Sequence, residues 1–145
     1  DGSTSPRAVA LAHWRGYGVT IAEYLDLIKE RLTTERAVST FRISRERATL
    51  TDGYLRARLT LTDDSQLEFS EYVQRSPEGQ IVVVTYNYHW FDMRGNLIRR
   101  WDNTPHFPDL PGFPHHVHIG ADETPGPGHS VSILSVLDEI APLVG

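Results

Sequence analysis

Residues 55–62 read LRARLTLT, with leucine or alanine at each odd position and arginine or threonine at each even one. A period of two puts Leu55, Ala57, Leu59 and Leu61 on one side of an extended chain and Arg56, Arg58, Thr60 and Thr62 on the other. That is a strand with one dry face and one wet face. Upstream, Phe41 and Ile43 alternate with Arg42 and Ser44; downstream, Leu67, Phe69 and Val73 alternate with Glu68, Ser70 and Gln74. Asp63-Asp64-Ser65 and Pro77-Glu78-Gly79 interrupt the pattern with turn-forming residues, so the strands are expected to pair antiparallel with their chain neighbours.

The stretch from Gln80 to Phe91 differs, because Ile81, Val82, Val83 and Val84 leave no polar face. Such a strand is expected to be covered on both sides or central in its sheet. Met93-Arg94-Gly95-Asn96 then turns the chain, glycine supplying the positive backbone angle, and Leu97 to Asp102 returns as the next strand. With Arg94-Gly95 at the tip, His89 falls opposite Arg100, Asn87 opposite Asp102, Tyr88 opposite Trp101 and Trp90 opposite Arg99. Cross-strand partners share a face. One face therefore carries Asn87, His89, Arg100 and Asp102, and the other Tyr86, Tyr88, Trp90, Arg99 and Trp101.

Helical spacing occurs at the two ends of the patterned region. Thr20 and Glu23 form a capping box ahead of Ile21, Leu25, Ile28 and Leu32, predicting an amphipathic helix over 20–35. Ile133, Val136, Leu137, Ile140 and Val144 predict a second over 130–141. Between Asp102 and about residue 129, prolines at 105, 108, 111, 114, 125 and 127 predict a stiff loop. The fold expected is α+β: a curved antiparallel meander of about five or six strands flanked by an N-terminal and a C-terminal helix. Residues 1–18 are expected to be irregular or disordered, and 19–145 to form one domain. At 145 residues one core should suffice, burying about 70% of the unfolded surface.

Composition excludes several classes. The chain has no cysteine, so disulfides, thiolate metal sites and cysteine nucleophiles are ruled out. No apolar run nears the roughly 18 residues that a membrane span needs, and a cytoplasmic protein is expected. The net charge is -5, yet residues 31–58 hold seven arginines against three carboxylates, a local net of +4. Residues 59–145 hold four arginines against twelve carboxylates, a net of -8. Thirteen of the fourteen basic residues are arginine, whose planar fork binds phosphate or carboxylate bidentately. An RNA or an acidic partner suits that surface.

Five of the seven histidines lie between Tyr88 and His118. Histidine titrates near neutrality and serves as general acid or base, while arginine stabilises charge on phosphate oxygens. The residues marked for phosphoryl or nucleotidyl chemistry, RNA cleavage above all, are His89, Arg100, Asp102, His106, His116 and His118. Those marked for contacting RNA or a partner are Arg42, Arg56, Arg58, Trp90, Arg99, Trp101, Asn103 and His115. No cofactor is required by this scheme. The alternatives are a zinc or manganese site on His115, His116, His118 and Glu123, because residues two apart in an extended segment project to one side, and a module that binds its partner without catalysis.

His89-Trp90, Gly95-Asn96-Leu97, Arg100-Trp101-Asp102-Asn103, Pro105-His106 and Phe113-Pro114-His115-His116-Val117-His118 occur in that order. The series resembles the TumE-like toxins of bacterial and archaeal toxin–antitoxin pairs. Phe107 stands where a second histidine often follows His106 in that family, and Val117 where lysine is often found. The resemblance implies a small toxin encoded beside a DNA-binding, helix-turn-helix antitoxin. RNA and a second copy of the chain, as a homodimer, are the further partners retained.

Overall fold

Thr20 accepts a hydrogen bond from the Glu23 amide at 3.0 Å, and Glu23 Oε1 accepts one from the Thr20 amide at 3.2 Å. This capping box starts helix α1 (Ile21–Thr34). Its apolar stripe of Ile21, Leu25, Ile28 and Leu32 is buried, joined by Tyr24. In the computed structural model the described residues are 18–103, 114–120, 124–127 and 132–145. Seven strands follow α1 in a single antiparallel sheet whose spatial order is the chain order. They are β1 (Val38–Ala48), β2 (Asp52–Leu61), β3 (Gln66–Arg75), β4 (Ile81–Phe91), β5 (Leu97–Asp102), β6 (His116–Ile119) and β7 (Thr124–Pro127). Helix α2 (Ile133–Val144) closes the chain, started by a second capping box between Ser132 and Ser135.

The expected α+β meander with a helix at each end is the fold found. Leu55, Ala57, Leu59 and Leu61 are at most 1% exposed. They share a core with the α1 stripe and with Ile133, Val136, Leu137 and Ile140 of α2. Arg31 of α1 joins the helices, its Nη2 lying 2.8 Å from both Glu35 and Asp138. No described element covers the opposite sheet face, which is bare in that sense alone. Gly53 of β2 lies against the start of α1: a Cβ there would sit 2.5 Å from Ile21 Cγ2 and 3.2 Å from the Arg47 carbonyl. Gly53→Ala should therefore push the start of α1 off the sheet and cost about 1–3 kcal/mol. The shift in a urea unfolding midpoint measures it.

Two local expectations differ from the structure. The segment expected as a loop to about 129 contains β6 and β7. His116-Val117-His118-Ile119 has the alternating pattern of a short strand, and Pro125 and Pro127 are on β7, the last strand in the sheet order, where an absent N–H need not break a ladder. The all-apolar part of β4 is central in the sheet, one of the two settings expected for it, and Val82 and Val84 there are 44% and 38% exposed. Helix α2 starts three residues later and runs past Pro142. The ring sits in the last turn, and the Gly145 amide still reaches the Ala141 carbonyl at 3.2 Å. Residues 1–17 lie outside the described residues, as do His106, most of the proline segment and Glu123.

Candidate functional site on the bare sheet face

The four pairs expected for the hairpin of β4 and β5 are found, Asn87 with Asp102, Tyr88 with Trp101, His89 with Arg100 and Trp90 with Arg99, although nearer the turn Phe91 pairs with Leu97 and Ile98 is left out of the ladder. Gly95 has φ +86°, and Asp92 Oδ1 accepts from the amides of Arg94 and Asn96 at 2.9 Å, which holds the turn. Because paired residues share a face, the ladders across the sheet can be followed as rows. One row on the bare face runs Arg42, Arg58, Glu68, His89, Arg100 and His118. The next runs Arg45, Arg56, Ser70, Asn87 and Asp102, with His116 in backbone register at its end.

Asp102 and His118 are 3% and 4% exposed although no described element covers their face. Arg100 Nε donates to Asp102 Oδ2 at 3.3 Å, and His118 Nε2 lies 3.5 Å from the same oxygen. A buried carboxylate needs such partners. The arrangement sets an imidazole and a guanidinium beside one acidic oxygen. His89, on the other side of Arg100 in the row, is half-buried, with its ring edge against Phe91 at 5.2 Å between centroids. Two imidazoles thus flank one guanidinium across three adjacent strands.

Other residues marked from the sequence lie elsewhere. Trp90 and Trp101 are 4% and 3% exposed and belong to the core; Trp90 Nε1 donates to Ser65 Oγ at 2.9 Å. Arg99 is on the helix side, 4.0 Å from Glu139 of α2 and 5.5 Å from the Trp101 ring centre. His115 stacks on Tyr86 at an interplanar angle of 7°, and its Nδ1 is hydrogen-bonded to the Tyr86 hydroxyl at 2.8 Å. Burial first, and then the charge of Asp102, hold that phenol well above the usual tyrosine range. Asn103 clamps the β4 backbone, donating to the Val84 carbonyl at 2.8 Å and accepting from the Tyr86 amide at 3.0 Å. Among the described residues no group of three or more His, Asp or Glu side chains is placed to hold a metal ion.

Two residues escaped the sequence reading. A bulge between Ile43 and Arg45 leaves Ser44 out of the ladder, so Arg45 joins Arg42 on the bare face instead of the Ser44 expected there. Glu71 is a carboxylate in the core at 1% exposure. Its Oε1 accepts from the Tyr24 hydroxyl at 2.6 Å, and its Oε2 accepts from the Tyr88 hydroxyl and the Ile133 amide, both at 2.7 Å. The signal for Glu71 was parity, since it occupies the inward position between Phe69 and Val73.

One layer of antiparallel sheet, helices on one face and a His, Arg and Asp cluster on the other define a small two-layer α+β protein. A model of the family described as Toxin TumE matches residues 25–144, and the chain belongs to that toxin family. Comparisons with curated proteins and with solved structures gave no match. Among the described residues no helix is long and apolar enough to cross a membrane.

Proposed function

We propose that this toxin acts in the cytoplasm by metal-independent cleavage of RNA on the bare face of its sheet. The observation that carries the reading is the row His89, Arg100 and His118 on adjacent strands, with Asp102 3.5 Å from His118 Nε2. His118 takes the proton from a ribose 2′-hydroxyl, and Asp102 stabilises the imidazolium that results. The 2′-oxygen attacks the adjacent phosphorus as the bond from phosphorus to the 5′-oxygen breaks. His89 protonates that leaving oxygen, and Arg100 stabilises the charge on the non-bridging oxygens. The products are a 2′,3′-cyclic phosphate and a 5′-hydroxyl. Trp90 and Trp101 take no part, because their rings are in the core. The partner in this scheme is a cognate antitoxin, a helix-turn-helix protein encoded beside the toxin.

The test is to incubate purified toxin with RNA in the presence of chelator and to analyse the ends. Cyclic phosphate and 5′-hydroxyl ends, with a bell-shaped dependence on pH, are the expected result. Loss of cleavage in chelator, with 5′-phosphate products, would replace this reading with metal-dependent hydrolysis. Growth arrest on induction with no RNA cut in either assay would leave the non-catalytic partner-binding alternative.

A further inference from the structure

Arg42 pairs directly with Arg58, and Arg45 with Arg56, so four guanidinium groups occupy adjacent positions at the β1 end of the bare face. Like charges placed opposite each other across strands are destabilising. The chain nevertheless adds Arg45 to the group through the bulge at Ser44, which skips one residue of the alternation. Only Arg56 has a carboxylate partner among the described residues, Glu68 at 3.0 Å. Arg58 donates to Gln66 at 2.7 Å and lies 5.4 Å from the centre of the Phe91 ring, and Arg45 lies 5.9 Å from the centre of Tyr54. Tyr54 is in register with Tyr72 on the same face. Arginines interleaved with accessible aromatic rings suit a ligand that carries both phosphates and bases. An acidic peptide would use the charges and leave the rings idle.

We propose that these four arginines anchor the phosphate backbone of single-stranded RNA, which then crosses the strands toward Arg100 and His118. The inference rests on the RNA reading above and extends it to the substrate's form and path. The arginines form a grid of roughly 5 Å across the strands by 7 Å along them, so the phosphates of one extended strand can each meet a separate fork. From β2 to β5 is three strand spacings, roughly 14 Å. The path over Ser70 and Asn87 is polar and uncharged, and it ends beside Asp102 in the same row. Glu68, held by Arg56, is the one carboxylate at the start of the path among the described residues. It competes with phosphate for that guanidinium.

The experiment measures binding of a short fluorescein-labelled polyuridylate, and of an RNA duplex of equal length, to the full chain over a salt series. Wild type should prefer the single strand. Arg42→Ala/Arg45→Ala should reduce the slope of log affinity against log salt by about 1.4, at about 0.7 for each lost phosphate contact. Glu68→Gln should tighten binding. Equal binding of duplex, an unchanged slope in the double variant, or weaker binding in Glu68→Gln would each overturn the proposal. So would loss of antitoxin co-purification in the double variant with RNA binding unaltered, which would make the surface a protein-docking site. Binding with the expected slopes but no cleavage would overturn the chemistry and leave the anchor standing. Cleavage retained with unaltered slopes would do the reverse.

Discussion

His118→Ala is expected to slow RNA cleavage by about 10²–10⁴-fold, the range that a positioned general base supplies. Asp102→Asn should produce a loss of similar order, although the imidazole is still present. The reason is the shared oxygen: Asp102 Oδ2 lies 3.3 Å from Arg100 Nε and 3.5 Å from His118 Nε2. An amide in its place keeps the shape but removes the charge that stabilises the imidazolium. His89→Ala should remove the acid and flatten the alkaline limb of the pH profile. Both Asp102 and His118 are buried, so circular dichroism and a melting curve must accompany each variant. A folded His118→Ala or Asp102→Asn protein that cleaves at the wild-type rate would refute the assignment. Growth inhibition on induction gives the same comparison in cells.

Glu71 carries the largest expected effect on stability. Glu71→Ala leaves the Tyr24 and Tyr88 hydroxyls and the Ile133 amide without the acceptor that now joins α1, β3, β4 and the start of α2. Each unsatisfied buried donor costs about 1–3 kcal/mol, and a total of about 3–9 kcal/mol for the three is a large part of the roughly 5–15 kcal/mol typical of a domain. Glu71→Gln keeps an acceptor oxygen and the side-chain volume, so it should cost far less. The contrast is measured by urea unfolding. Its pH dependence has a definite sign. Burial raises the Glu71 carboxyl above its ordinary value, outweighing the hydrogen bonds from Tyr24, Ile133 and Tyr88 that act to lower it. The folded protein therefore binds this proton more tightly than the unfolded chain does. Stability from this group is fully present below the unfolded value and is lost as pH rises through the raised folded one. Wild type should lose stability relative to Glu71→Gln across that window. A difference that is constant with pH, or that changes in the opposite sense, would show that the folded carboxyl is not raised.

Much of this protein is legible in the sequence because its signals are local. A period of two in LRARLTLT is a relation between residues i and i+2, so it identifies the dry face of β2 before any partner is known. The Gly95 turn announces the β4–β5 hairpin in the same way, but the pairing beyond it depends on a one-residue shift at Ile98 that a local turn signal does not contain. The capping box at Thr20 and the two helical stripes are equally local, whereas the Ser132 cap that starts α2 lies outside the expected signals, which begin that helix at 130. Tertiary structure decided the rest. The bulge at Ser44 arises from pairing with β2, and it moves Arg45 onto the bare face where simple alternation had placed Ser44. Which side of the hairpin meets the helices cannot be read from alternation alone, and the core took Trp90 and Trp101. Glu71 is tolerable in that core only because donors from two helices and a neighbouring strand converge on it. His118 comes beside Asp102 because β6 returns along β5 across an intervening segment of the chain, a long-range closure that no spacing in the sequence encodes.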